Sequence, residues 1–448
     1  MSDLTDLCAR AVEAAAGDEQ VEAYATASRS LEVRVRGGEV ESLTSAETRG
    51  LGIRVIAGGR VGYAYEADPS PEEVPALVAS AREGARFAEP DPANELPALE
   101  PVEPLPGLFD PALAAAPTER KVALAVDLER AAVSAHPKVR KVERASYGDS
   151  AVRVAVASTR GGPLEHERAD CWVSVAALAE RGDETQAGFD FAVARSLESL
   201  AWERAAGGAA ERAARLLGGV KPATERLPVI LDPAAAASFL SVLAGSLSAE
   251  AVQKGRSPLA PLVGERVASG LVSLVDDGRL LEGPGAAPFD DEGVATGRTA
   301  LVEDGVLRGF LHNQTTASRA GIRSTGNAGR SSYRTVPGVT PTNLFFAPGS
   351  ESPEALLARA GRVVYVQEVS GLHSGASSVS GDFSVGAAGL RVEGGALAGP
   401  LREMTIASTL LDVLKAIAGV GSDLRFFPFG GALGAPTLVV GEMTVAGT

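Results

Sequence analysis

Histidine and cysteine are the side chains whose spacing would most directly reveal a metal site in this sequence. The chain has four histidines and two cysteines, namely His136, His166, His312, His373, Cys8 and Cys171. The histidines are too far apart for a local two-histidine motif. In HERADC, His166 precedes Cys171 by five positions, but the following CWVSVAALA alternates like a strand, in which such residues face opposite sides. We therefore expect no metal site here.

Nucleophilic and phosphate-binding motifs can also be checked from the sequence. It contains no GxxxxGK[ST], no GxGxxG between a strand and a helix, and no GxSxG elbow. Serine is abundant in SGLHSGASSVSGDFSVG (370–386), where small residues commonly serve close strand packing. His373 lies in this stretch and His312 in LRGFLHNQT, and neither has a partner that sequence alone can name. A nucleophile or pocket role for this region stays open.

Composition excludes several classes of protein. The chain has 448 residues, 45% of them hydrophobic and 22% charged, which is typical of a folded globular protein. Its net charge of -15 has the wrong sign for a nucleic-acid or anionic-membrane surface. The amino-terminal MSDLTDL lacks an apolar signal region, and two distant cysteines suit a reducing compartment. We expect a cytoplasmic protein that contacts neither nucleic acid nor membrane.

The first half of the sequence reads as helices and hairpins that would position any site. Residues 3–16 have helical spacing, and two hairpins follow, with turns at Gly37-Gly38 and at 57–60. Further helices are predicted at 71–87, at 118–133 with Thr118 as the N-cap, and at 195–217. Alternating stretches at 139–157 and 171–179 predict strands.

The second half changes in texture. A buried strand at 227–231 leads into an Ala-rich helix to about Glu250, and short β runs between glycine-rich turns follow. We predict an α+β protein, with an N-terminal α/β region of sheet and helices followed by a β-rich, antiparallel, barrel-like domain. The predicted divisions are 1–87, a Pro-rich connector at 88–117, a central α+β domain at 118–220, and the C-terminal domain at 221–448.

Three segments carry a resemblance to a known family. They are PFDDEG (288–293), STGNAG (324–329) and SGDFSVGAAG (380–389), and they are joined by RTALVEDGVLRGFL, MTIASTLLDVLKAIAGVGSD and the terminal GEMTVAGT. In this order they resemble the TldD/PmbA family, known also as modulators of DNA gyrase and as TldD–TldE metallopeptidases. The chain is most similar to the PmbA branch, also called TldE, and the resemblance covers essentially its whole length.

The resemblance implies where a catalytic zinc would stand. TldD-branch members bind zinc through an HExxxH helix and a later cysteine, with the glutamate as general base. Aligned on the segment at Lys254–Ser257, the ligand positions fall on Leu240 and Gly245, and the base position falls on Ser241. The loop expected to carry the cysteine, Arg425–Gly434, has none. We therefore expect no catalytic residue, metal or cofactor in this chain.

The family analogy also implies a partner. A PmbA-like chain pairs with a TldD-like subunit that supplies zinc, or with a second copy of itself, and together they process unfolded or small peptides; alone it should be inactive. Candidate peptide-binding residues are Arg330, His373 and Asp382, whose ordinary roles would be a solvated arginine, a loop histidine and a turn cap. The alternatives are a stand-alone peptide-binding or regulatory protein of the gyrase-modulator type, and a specialised amidase of secondary metabolism.

Overall fold

The first sheet collects strands from both predicted N-terminal divisions. A computed structural model describes residues 3–427 and 431–447. The strands are β1 (Gln20–Arg36), β2 (Glu39–Ala57), β3 (Arg60–Ala67), β4 (Val139–Ser158), β5 (Gly161–Arg181) and β6 (Glu184–Ala194). They form one antiparallel sheet in the order β3-β2-β1-β4-β5-β6. Because β1 pairs with β4, the Pro-rich stretch between them connects two parts of a single sheet.

Helices cover one face of this sheet. They are α1 (Leu4–Glu13), α2 (Val74–Ala85), α3 (Pro111–Ala114), α4 (Thr118–Ala135) and α5 (Trp202–Arg215). Side chains on alternate residues of the strands pack against α1 and α2 at one end and against α4 and α5 at the other. The opposite face carries Tyr24 and Val154, which pack on Phe289 and Tyr333 of the C-terminal region. The sheet therefore separates a helical layer from the C-terminal half.

The C-terminal half contains a closed barrel. Its early elements are β7 (Glu225–Leu231), α6 (Pro233–Ser246), α7 (Ala249–Gln253), a 3₁₀ turn (Ala260–Leu262), β8 (Leu274–Asp277), β9 (Arg298–Glu303), β10 (Val306–Leu307), α8 (Gln314–Ala320), β11 (Ala328–Gly329), β12 (Gly338–Val339) and β13 (Asn343–Phe346). The later ones are α9 (Pro353–Ala358), β14 (Val363–Ser370), α10 (Leu372–Gly375), β15 (Asp382–Glu393), β16 (Ala396–Thr409), α11 (Leu410–Ala416), β17 (Ile417–Val420), β18 (Arg425–Phe427), β19 (Ala432–Ala435) and β20 (Leu438–Gly447).

Pairing of β16 with β20 closes the barrel β7-β14-β15-β16-β20, and a second sheet runs β10-β9-β8-β13-β19-β18. With 24% helix and 43% strand, the α+β class and the barrel-like C-terminal region are confirmed. Both predicted hairpins and the early helix are also present, so local pattern located these elements well. The boundaries between the predicted divisions remain a prediction.

Three local predictions need correction. The N-cap of α4 is Pro117 rather than Thr118, which is already helical. The helix predicted from 195 begins at Trp202, and the Arg195 side chain, outside the helix, donates to carbonyl groups of the loop at 281–283. The helix predicted to reach Glu250 ends at Ser246, since the backbone at Leu247 and Ala249 bonds to that of Leu311. The early end of α6 thus reflects backbone pairing with a distant segment.

No helix in residues 3–427 and 431–447 is both long and apolar enough to span a membrane.

Candidate functional site

Helix α6 carries the positions at which the family resemblance places the zinc ligands and the base. It begins at Pro233, with Asp232 as its N-cap accepting a bond from the backbone N–H of Ala235 at 2.9 Å. Asp232 is itself fixed by an ion pair to Arg212 of α5 at 2.5 Å. Thus the helix start is set by a cap and by a charge from the first half of the chain.

At the three α6 positions where the resemblance places the zinc ligands and the base, the side chains make packing contacts and local hydrogen bonds. Leu240 is fully buried in the main core. Ser241 donates from Oγ to the carbonyl of Ser238, one turn back in its own helix, at 2.7 Å. A Cβ atom on Gly245 would lie 3.3 Å from the side chain of Ser378, so there is little room for a larger residue.

Zinc does not fit this set of residues. Leucine and glycine side chains have no donor atom, and a serine hydroxyl engaged with its own helix is a poor substitute for histidine, cysteine or carboxylate. The family's cysteine loop corresponds to 425–434, of which 428–430 lie outside the described residues. Among the residues that are described, no three histidine, cysteine or acidic side chains are arranged to hold a metal ion.

The HERADC segment lies in strand β5, which begins ten residues before the predicted strand at 171–179. As expected for a strand, the side chains of His166 and Cys171 face opposite sides of the sheet. Cys171 packs under the helices, where burial raises the pKa of its thiol to about 12. His166 lies on the other face, with its ring edge-on to Phe289 at 4.9 Å between centroids. Burial, reinforced by Arg168, lowers the pKa of His166 to about 4. The pair therefore forms no site.

Arg330 is a candidate peptide-binding residue whose ordinary role would be that of a solvated arginine, and the solvated interpretation is wrong. Its side chain is 1% exposed and forms an ion pair with Glu22 of β1. Arg54 of β2 joins the same cluster, with ion pairs to Glu22 and, at 2.8 Å, to Glu292. We call these four residues the closed ion network. It joins the first sheet to the C-terminal half.

Electrostatics within the closed ion network favour the ionised form of Glu22. Although burial alone would raise it, the guanidinium groups of Arg54 and Arg330 hold the pKa of Glu22 below its ordinary value. Arg330 also lies over the ring of Tyr24, 4.8 Å from its centroid. Its charge is thus consumed by internal partners.

The PFDDEG and STGNAG motifs support this network. Asp290 accepts from the backbone N–H of Ala328 at 2.9 Å, and Asp291 accepts from that of Arg330 at 2.7 Å. Asn327 donates to the buried Asp276 at 2.7 Å. Burial raises the pKa of Asp276 to about 6 and that of Asp291 above its ordinary value. The two motifs bond to each other and set the position of Arg330.

The other two candidates lie elsewhere. His373 is in the short helix α10 and is exposed, and Asp382 is exposed at the start of β15. The backbone N–H of Asp382 donates to Ser380 Oγ at 3.3 Å. Nearby, Ser377 Oγ accepts from the backbone N–H of Ser380 at 3.1 Å. Their role in binding peptide stays a prediction.

Sequence reasoning missed the first-sheet partners of Arg330. Glu22 and Arg54 lie in ordinary strand patterns. Glu22 precedes Arg330 by 308 residues in the chain. An ionisable residue inside an otherwise buried strand was the available signal, since such residues are seldom buried unless paired. That signal indicates that the buried charge needs a partner, but it does not identify the partner residue.

Comparisons with known proteins agree with this architecture. Models of the PmbA/TldA metallopeptidase match residues 21–85 (domain 1), 111–217 (central domain) and 224–447 (C-terminal domain). The chain is 29% identical to the metalloprotease PmbA of Escherichia coli O157:H7 over 437 residues, covering 94% of this chain and 92% of the relative.

Solved structures match over nearly the full length. A suggested modulator of a DNA gyrase from Thermotoga maritima has a TM-score of 0.88 at 28% identity, with 96% of each chain covered. TldE from Thermococcus kodakarensis has a TM-score of 0.89 at 24% identity, with 99% of each chain covered, and shows the same fold.

Proposed function

The chain belongs to the PmbA/TldD metallopeptidase family, and on that basis we propose that it is a metal-free, PmbA- or TldE-like subunit of a two-chain metallopeptidase. In this proposal a TldD-like partner supplies the zinc and the general base. This chain completes the chamber, helps to hold unfolded or small peptides, and works in the cytoplasm. It carries no cofactor of its own, and it can pair with itself when no partner is present.

The observation that carries the proposal is the chemistry of α6. Relatives are named metalloproteases, yet the positions that would bind zinc here are a core leucine and a glycine packed on Ser378. The general-base position is a serine bonded within its own helix. A catalytic zinc site needs three protein ligands and an open coordination position, and these positions supply none, which supports a catalytic metal held by another chain.

Co-purification with a TldD-like chain tests this directly. The isolated chain should contain no stoichiometric zinc and should leave unfolded casein intact. A complex with an HExxxH-bearing chain from the same organism should contain one zinc per heterodimer and cleave casein in an EDTA-sensitive manner. Replacing the partner's HExxxH glutamate by glutamine is the matched control and should abolish cleavage without separating the chains. Stoichiometric zinc with EDTA-sensitive cleavage in the isolated chain would overturn the proposal.

A regulatory role is the second candidate, because the similar Thermotoga maritima chain is described as a suggested modulator of a DNA gyrase. The net charge of -15 disfavours direct contact with DNA, so any such role would act through protein contacts or turnover. A pull-down from the native host separates the two: recovery of an HExxxH-bearing chain supports the peptidase subunit, and recovery of gyrase without it supports the regulator.

A further inference from the structure

An arginine-rich cavity lies between the central part of the chain and the C-terminal half. Its volume is about 840 Å³. Its walls are the end of β6, the segment 195–204, the loop 280–284 and the start of β18 at 424–426. Three guanidinium groups line it, from Arg195, Arg204 and Arg425. We call it the arginine cavity.

One side of the arginine cavity is built on Asp190 of β6. The Asp190 carboxylate is buried and pairs with Arg425 at 2.7 Å and with Arg204 at 3.2 Å. A Cβ on Gly208 would lie 2.1 Å from the same carboxylate, so α5 passes directly against it. Two positive charges thus share one negative charge.

Aromatic rings orient Arg425 at this wall. Its guanidinium lies over Phe427 and Phe191, 5.4 Å and 5.9 Å from their centroids. Such stacking fixes the plane of the group at little entropic cost. A guanidinium has five N–H donors, so the bonds to Asp190 leave both arginines with donor capacity.

The other side repeats the arrangement around Asp170 of β5. Arg195 pairs with Asp170 at 2.9 Å and also donates to the carbonyl of Gly283 at 3.0 Å. Arg168 lies 4.0 Å from the second oxygen of Asp170. Here too, two guanidinium groups face one carboxylate, and the loop at 280–284 is tied down as a wall.

Glu282 also lines the cavity. Four guanidinium groups, those of Arg168, Arg195, Arg204 and Arg425, thus lie with three carboxylates, those of Asp170, Asp190 and Glu282. This leaves an excess of one positive charge in a chain whose net charge is strongly negative. Burial and the neighbouring Arg425 lower the pKa of Arg204, although Asp190 opposes this shift. Burial also lowers the pKa of Arg195, with Asp170 opposing and Arg168 adding to the shift. Each guanidinium would gain from an additional anion. A planar, two-oxygen anion matches its fork geometry best.

We propose that the arginine cavity binds a carboxylate group of a peptide, either the C-terminal carboxylate or an Asp or Glu side chain. The volume lies within the roughly 300–1,000 Å³ range of ligand sites. The proposal rests on the proposed function in taking peptides as the ligands, but it concerns this chain alone and needs no partner.

Binding of short labelled peptides to the isolated full chain tests the proposal. A peptide with a free C-terminus and an otherwise identical C-terminal amide form the first pair. Peptides with an internal Glu or Gln, both amidated, form the second pair. Preference for the acid in the first pair assigns the C-terminal carboxylate, and preference in the second assigns an acidic side chain. Equal binding within both pairs would overturn the proposal.

Substitutions locate the binding. Arg425→Ala should weaken binding of the preferred acid about tenfold or more, as expected for loss of a charge-assisted hydrogen bond, and Arg425→Lys should restore it in part. Arg226→Ala is the matched control, because Arg226 is an exposed arginine bonded to Glu442 outside the cavity. Undiminished binding by Arg425→Ala would overturn the assignment.

Folding and ligand class are controlled separately. Arg425→Ala leaves Asp190 paired with Arg204, and the reciprocal Arg204→Ala leaves it paired with Arg425, so at least one variant should keep the wild-type unfolding profile. Tighter binding of a single-stranded oligonucleotide than of the acidic peptides, lost in the same variants, would replace the peptide proposal. Since no partner chain is added, failure here leaves the proposed subunit role standing, and failure of complex formation leaves this result standing.

Discussion

Two clusters of arginine and carboxylate in this molecule differ in balance and in access to solvent. The closed ion network pairs two carboxylates, Glu22 and Glu292, with two guanidinium groups, and all four side chains are 5% exposed or less. In the arginine cavity, by contrast, Asp190 faces both Arg204 and Arg425, which are 48% and 32% exposed.

The difference teaches how to separate a structural charge from a binding charge. A buried, balanced network has no charge left for a ligand, and its removal mainly harms the fold. An open cluster with more cations than anions can accept an anion, and removing one of its cations lowers the stability of the fold only slightly. Arg330 lies beside a recognisable motif yet belongs to the first type, whereas Arg425 belongs to the second.

The largest expected effect breaks the closed ion network. Arg54→Ala leaves Glu22 with one cation and Glu292 with none, and should lower the free energy of unfolding by about 3–5 kcal/mol. Arg425→Ala removes the same side chain from the open cluster and should cost about 1 kcal/mol or less, because Asp190 keeps Arg204. Urea unfolding of both variants measures this, and equal losses would remove the distinction between the clusters.

A smaller effect tests whether the α6 positions act in packing, as the closed ion network acts in holding the fold. Leu240→Ala should destabilise the protein by about 2–5 kcal/mol, since it leaves a cavity in the core. Ser241→Ala changes the position where the resemblance places the general base. It should lower the free energy of unfolding by less than about 1 kcal/mol, because it removes only a hydrogen bond within its own helix. Chemical denaturation of the two variants provides the measurement. A larger loss at Ser241 than at Leu240 would contradict the packing account of this helix.

The smallest effect is absent at neutral pH and concerns His166, on the face of the sheet that meets the C-terminal half. Its folded pKa of about 4 lies below its ordinary value because of burial and Arg168. The unfolded chain therefore takes up this proton first, so stability present above the ordinary pKa is lost as the pH falls toward 4.

NMR titration of the His166 ring and unfolding at several pH values measure this loss. His166→Phe, which cannot titrate, should show a shallower decline of stability between the ordinary and the folded pKa. A His166 that titrates near its ordinary pKa would mean that the sheet and the C-terminal half pack less closely than described.

The sequence by itself determined much of the local architecture. Alternation in β4 and β5 and the glycine turn between β1 and β2 predicted strands that the structure contains. Motif order identified the family, and residue identity at 240, 241 and 245 was enough to question a zinc site. These features depend on neighbours within a few residues, where the period of side chains along a helix or strand is decisive.

Only the tertiary structure decided how distant charges combine. Nothing near Arg330 in the sequence indicates that Glu22 neutralises it, and nothing near Arg425 indicates that it shares Asp190 with Arg204. An arginine side chain can be solvated, can be buried in an ion pair that links two parts of the fold, or can face a cavity. Which of these occurs depends on desolvation and on partners brought together by folding, because the energy of a charge depends on its surroundings in space and not on its position in the chain.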